Sequence, residues 1–227
     1  MQGAACSAAD GGRAGGARGD STNGCAVIAP LVAHKHITGF AAADGSGVSD
    51  AEVAEIIDAR APPILELVRR RHGLPPQAFV IPSDVHDYLY DAGYIKHENF
   101  SDVYGGAIIG ADGHLANLLD ALAAPPASER RGVAFFFHEH VTAILKRGGG
   151  AGAGYDFIDS LPHAPAGVGV RIWCADVDAL RACLVWYTTS KLTPSNRGFI
   201  DSTPWDDANC EFDPRVFQAY VWRTAPP

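Results

Sequence analysis

Along this chain the spacing of apolar positions changes near residue 130. Before that point it is helical. Ser49, followed three residues later by Glu52, is a capping box and predicts a helix over Asp50–Ala61. Pro62-Pro63 breaks that helix and opens another, Ile64–His72, which Gly73 ends. Ser83 is placed to cap a third helix through Ala92, stopped by Gly93. Behind Asp112, Leu115, Leu118, Leu119 and Leu122 form the stripe of a core-facing helix. Pro125-Pro126 then begins a polar loop, Ala127–Arg130.

Past Arg131 the pattern becomes that of strands. Val133–Lys146 is aromatic and β-branched, and Tyr155–Ile158 returns after the glycine-rich connection Gly148–Gly154. Val168–Cys174 and Val216–Arg223 read as further strands, with a helix over Val177–Ser190 capped by Asp176. A helical half followed by a mostly antiparallel sheet is an α+β layout. We expect one domain over 21–227, mainly helical over 21–126 and mainly β over 131–227.

Residues 1–20 are rich in Gly and Ala with no periodicity, which predicts a disordered tail and order from about Ser21. The chain has 227 residues, 47% of them hydrophobic, enough to bury the core of one domain. No apolar run approaches the roughly 18 residues of a membrane span, and no apolar segment marks a secretory signal. Five cysteines without framework spacing point to a reducing compartment, so a cytoplasmic or nuclear setting is expected. With 18 basic against 26 acidic residues the net charge is −8, which argues against nucleic acid or an anionic membrane as partner. Nothing calls for a cofactor.

Candidate chemistry lies in three places. Ser21-Thr22-Asn23-Gly24-Cys25 passes abruptly into the apolar run from Ala26, as where a loop enters a buried helix. A thiol there would feel the helix dipole, which favours thiolate. The backbone N–H of Cys25, with the Asn23 side chain, could bind an oxyanion. Pro30 predicts a kink or a late helix start. Against this stands the plain reading of Cys25 as a small buried hydrophobe. In Phe135–Lys146, read as one strand, His138, His140 and Thr142 share a face, and a histidine in so apolar a strand needs a polar partner. Asp159 follows His140 by 19 residues on the returning strand and faces the same way as Tyr155 and Phe157, whereas Asp156 faces the other way. Cysteine, histidine and carboxylate in contact would make a triad.

His140-Val141-Thr142-Ala143-Ile144-Leu145 resembles the histidine box of ubiquitin-specific proteases, and Tyr155–Ser160 resembles the aspartate strand that follows it. Asn23-Gly24-Cys25 is similar to the Asn-Thr-Cys of their cysteine box, and Asp159-Ser160-Leu161 to the Asp-Ser-Leu of SUMO-type proteases. The order Cys, His, Asp is that of the papain-like superfamily and not of the SUMO proteases. This resemblance implies a papain-like fold with the nucleophile helix packed on the sheet. It implies a cysteine peptidase cutting a peptide or isopeptide bond through a thioester, with Cys25 as nucleophile, His140 as base and Asp159 orienting it. It further implies a ubiquitin-like protein as partner.

Rival assignments remain open at this level. Cys174 competes as nucleophile and His138 as base. The pairs His34/His36 and His138/His140 could serve a metal-dependent hydrolase. A peptidase fold that only binds a partner is the non-enzymatic reading.

Overall fold

The run from Cys25 to Ala33 is apolar on every side, and a helix of that kind has to be buried. It forms the middle of α1 (Arg18–Thr38), which lies across the centre of a sheet. The computed structural model describes residues 2–5, 18–39, 47–110, 113–126, 128–149, 153–163 and 168–224, by backbone alone at 2–5, 18–23, 162–163 and 168. After α1 come α2 (Asp50–Glu55), α3 (Ala61–Arg71), α4 (Pro82–Asp91) and α5 (His114–Ala123). Later in the chain are α6 (Val177–Lys191) and α7 (Pro194–Ser202). The strands are β1 (Gln2–Ala5), β2 (Phe100–Ala107), β3 (Arg131–Phe137), β4 (His140–Lys146), β5 (Tyr155–His163), β6 (Val168–Cys174) and β7 (Val216–Arg223). They form one antiparallel seven-stranded sheet in the order β1-β6-β5-β4-β3-β7-β2. None of the helices is long and apolar enough to cross a membrane among the described residues.

The fold is α+β, and alternation along the strands gives each face its own core. Ala134, Val141, Ala143, Leu145 and Trp222 meet α1, α3 and α4 on one side. Phe135, Ile144, Phe157, Phe217 and Val221 meet α5 and α6 on the other. The helical and β halves share one sheet: β2 comes from the helical half and closes one edge of it. Contact between α1 and β3 is close enough to require glycine. A Cβ on Gly132 would stand 2.6 Å from the Ala33 carbonyl oxygen.

Several expected boundaries hold. Ser49 and Glu52 make the reciprocal capping box, Asp176 caps α6, and the four leucines of α5 are all buried. Other expectations are corrected. Gln2–Ala5 pairs with β6 and α1 begins at Arg18, so the tail reading of residues 1–20 fails at both ends; 6–17 lie outside the described residues. Pro62 and Pro63 occupy the first turn of α3, where a missing N–H is harmless, so the helical path runs on from α2 through a single π turn, Ile56–Arg60. Ser83 sits inside α4, which starts at Pro82 without a side-chain cap. Asp112 lies outside the described residues. Val133–Lys146 is a hairpin, β3 and β4 joined by His138-Glu139.

Asp156, fully buried on β5, ties the lower part of the sheet together. Its carboxylate accepts from Arg147 Nε and Nη2, both at 2.7 Å, and from Arg171 Nη2 at 2.7 Å. Arg171 also donates to the Val48 carbonyl and to Asp50, which fixes the start of α2. Removing the shared acceptor would leave two guanidinium groups without it in a poorly solvated place. Asp156→Ala is expected to cost about 3–5 kcal/mol, read from the urea midpoint.

Two buried histidines on the α1 side make the fold acid-sensitive. His36 donates from Nε2 to the Lys146 carbonyl at 2.6 Å, while its Nδ1 has no partner among the described residues. His86 stands edge-on to Tyr220 and Trp222 and has no hydrogen-bond partner among the described residues. Burial lowers the pKa of each to about 4 from 6.5. Between those values the unfolded chain binds more protons than the folded one. The stability these residues contribute is therefore complete above pH 6.5 and falls as the pH drops toward 4, at up to about 1.4 kcal/mol per pH unit for each. Denaturant titrations at several pH values should show this slope, and His86→Phe should remove its own share.

Candidate active site

Backbone pairing of β4 with β5 runs from Lys146–Tyr155 to Ala143–Ile158 and stops there. Beyond that point β5 stays with β6, pairing Asp159 with Val170, and β4 stays with β3, pairing His140 with Phe137. The two strands part, and His140 and Asp159 stand on the parted segments. The His140 imidazole Nε2 meets Asp159 Oδ1 at 2.6 Å. The same oxygen accepts the Leu161 N–H at 2.9 Å, where β5 loses its regular register with β6. The Cys25 thiol, from α1, lies close enough to His140 to raise the pKa of its ring. Nε2 is engaged by Asp159, and Nδ1, the nitrogen free to serve a sulfur, has no hydrogen-bond partner among the described residues.

All three side chains are buried: Cys25 is 2% exposed, His140 6% and Asp159 1%. Burial alone would drive the proton off His140. The hydrogen bond to Asp159 and the neighbouring Cys25 thiol, with the negative charge both can carry, outweigh it and raise the pKa to about 9 from 6.5. An imidazole so placed can hold a proton beside a sulfur at neutral pH. That is the arrangement a thiolate nucleophile requires.

The structure thus brings together Cys25, His140 and Asp159, and it separates the other candidates. His138 lies in the turn before β4, not on a face shared with His140, and its Nε2 donates to the Pro214 carbonyl at 2.8 Å. Cys174 pairs with Tyr155 at the far end of β5, four residues, or about 13 Å, along the strand from Asp159. Its thiol contacts that of Cys183 instead. His36 is engaged with Lys146, and no group of three His, Cys, Asp or Glu side chains could hold a metal ion among the described residues. One of the expected oxyanion donors, the Cys25 N–H, is corrected as well. With α1 starting at Arg18, the Cys25 N–H lies in the second turn, where it is used on the carbonyl four residues back. Asn23, the other expected donor, has a side chain that lies outside the described residues. Pro30 neither delays nor ends the helix.

No family model and no curated protein matches this sequence. Among solved structures the fold is similar to the ubiquitin-specific protease encoded by murine cytomegalovirus tegument protein M48, solved in complex with a ubiquitin-based suicide substrate. The TM-score is 0.54 at 13% identity, over 98% of this chain and 85% of that one. At that identity the likeness is one of fold.

Tyr187 is a site residue that the sequence pattern conceals. It belongs to a helical stripe with Leu180, Cys183 and Leu184, indistinguishable by spacing from ordinary core. In the structure its ring packs on Phe157 at 4.9 Å, and its phenol stands beside Asp159. Burial first, then the charge of Asp159, pushes the Tyr187 pKa up, so the phenol keeps its proton.

Proposed function

We propose that this chain is a cysteine peptidase of papain-like type that cleaves a peptide or isopeptide bond at the C-terminus of a ubiquitin-like protein. The observation that carries the reading is the His140 imidazole held between the Cys25 thiol and the Asp159 carboxylate. The fold it shares with a ubiquitin-specific protease supports it. Cys25 attacks the scissile carbonyl and forms a thioester as the C–N bond breaks. His140 delivers its proton to the leaving amine, then takes one from the water that releases the acid. Asp159 holds the ring and stabilises its protonated form.

The substrate class follows from access. A nucleophile only 2% exposed can be reached by a slender chain, and glycine, lacking a side chain, is the slenderest. A tail ending in glycines asks for the least room at the sulfur, and that is the ground on which it is proposed over ordinary peptides. The deciding experiment is incubation with a panel of ubiquitin-family proteins carrying a C-terminal electrophile. An adduct on Cys25 with one of them is expected. If none reacts while a small thiol-reactive peptide does, the modifier specificity is wrong and a general thiol peptidase remains. If neither reacts, the chain is a binding module.

A further inference from the structure

We propose that His138 is a positioning residue: by donating from Nε2 to the Pro214 carbonyl it holds the left-handed turn that sets where His140 stands. The inference rests on the reading of Cys25, His140 and Asp159 as the reacting groups. His138 and Glu139 have φ of 48° and 59°, and neither is glycine. A two-residue hairpin of type I′ needs positive φ at both central positions and usually takes Asn-Gly there. Residues with side chains persist in that region when their surroundings over-determine it.

Here the surroundings are visible. The His138 ring stacks on buried Phe137 with centroids 4.4 Å apart, and its Nε2 lies 2.8 Å from the Pro214 oxygen. That carbonyl is itself held on both sides. Asp213 accepts from the Arg215 backbone N–H at 2.9 Å, from Nε at 2.8 Å and from Nη2 at 2.6 Å. The Arg215 guanidinium stands over Trp205 at 5.5 Å, and Ile108 N–H donates to the Arg215 carbonyl at 2.9 Å.

The turn matters to the site because of what β4 lacks. Its pairing with β5 ends at Ala143, so on that side no strand among the described residues holds the His140 end. Pairing of Phe137 with His140 and the adjoining turn are what remain. A turn that relaxes moves the imidazole relative to both sulfur and carboxylate, and a misplacement of about 1 Å at reacting groups can cost about a hundredfold in rate.

The test uses two variants of the full chain. His138→Asn accepts the left-handed conformation but is too short to reach Pro214. His138→Gln restores an N–H donor at nearly the original reach. Hydrolysis of ubiquitin bearing a fluorogenic C-terminal amide gives kcat and KM, and NMR titration gives the protonation of the His140 ring. For His138→Asn a fall in kcat of about 10–100-fold is expected with KM unchanged, together with a lower His140 titration. His138→Gln should recover both. Unchanged kcat and titration in His138→Asn, or no recovery in His138→Gln, would overturn the proposal. If the unsubstituted protein does not cleave the substrate, the functional reading fails separately, and the His140 titration alone decides the positioning role by the same criteria. Should His138→Asn not fold, a His138→Gln variant with the original titration supports the proposal and a lowered one overturns it.

Discussion

Cys25→Ala is expected to abolish hydrolysis of a ubiquitin C-terminal amide, a loss on the order of a millionfold in kcat. The reason is that no other thiol among the described residues stands beside His140, Cys210 being engaged with the Asp207 carbonyl. Cys174 and Cys183 face each other at the far end of β5, and neither reaches His140. The fold should survive, because the side chain is small and the change leaves only a minor gap, at a cost of about 1 kcal/mol. Thermal melts of the two proteins, run beside the kinetic assay, separate lost chemistry from lost structure. A Cys25→Ala protein with full activity would remove Cys25 from the mechanism. A Cys174→Ala protein without activity would transfer the role.

Asp159→Asn should be nearly as severe, with kcat reduced about 10³–10⁴-fold. The amide preserves shape but carries no charge, and its nitrogen facing His140 would force the wrong tautomer. The pH profile distinguishes this from simple misfolding. In the native site His140 stays protonated up to about pH 9, since the Asp159 carboxylate and the nearby Cys25 sulfur outweigh the effect of burial. The rate should therefore fall as the pH rises through about 9, where the imidazolium needed to protonate the leaving amine disappears. With Asp159 neutral, that alkaline limb should move to lower pH. The same proton has a stability consequence. The folded pKa lies above the unfolded 6.5, so the stabilisation is complete below 6.5 and is lost as the pH climbs toward 9.

Elements specified by local patterns were legible in advance. The strands Val168–Cys174 and Val216–Arg223 and the capped helix beginning at Val177 stand where alternation and Asp176 place them. The leucine stripe of α5 was equally readable, because a helix displays its buried face at fixed spacing. Two elements carry weaker signals. β2, Phe-Ser-Asp-Val-Tyr-Gly-Gly-Ala, is an exposed edge strand whose polar residues and glycines resemble a loop. α7 leaves none of its residues fully buried, so it shows no core stripe, although Thr193 and Asn196 cap it.

The candidate site divides in the same way. Sequence alone determined which residues had chemistry to offer: a thiol before an apolar run, a histidine inside an apolar strand, and an aspartate on the returning strand. Tertiary structure decided which histidine meets the thiol. That choice turns on the hairpin at His138-Glu139, which no glycine or asparagine announces and which is anchored by Pro214, 76 residues away. It decided where α1 begins, and so removed the Cys25 N–H as a free donor. It also decided that Tyr187 joins Asp159, a contact made when α6 packs against the sheet. Spacing along a chain reports hydrogen bonds and faces a few residues apart. Contacts made by packing distant segments together leave no such periodic trace, and in this protein they assemble the site.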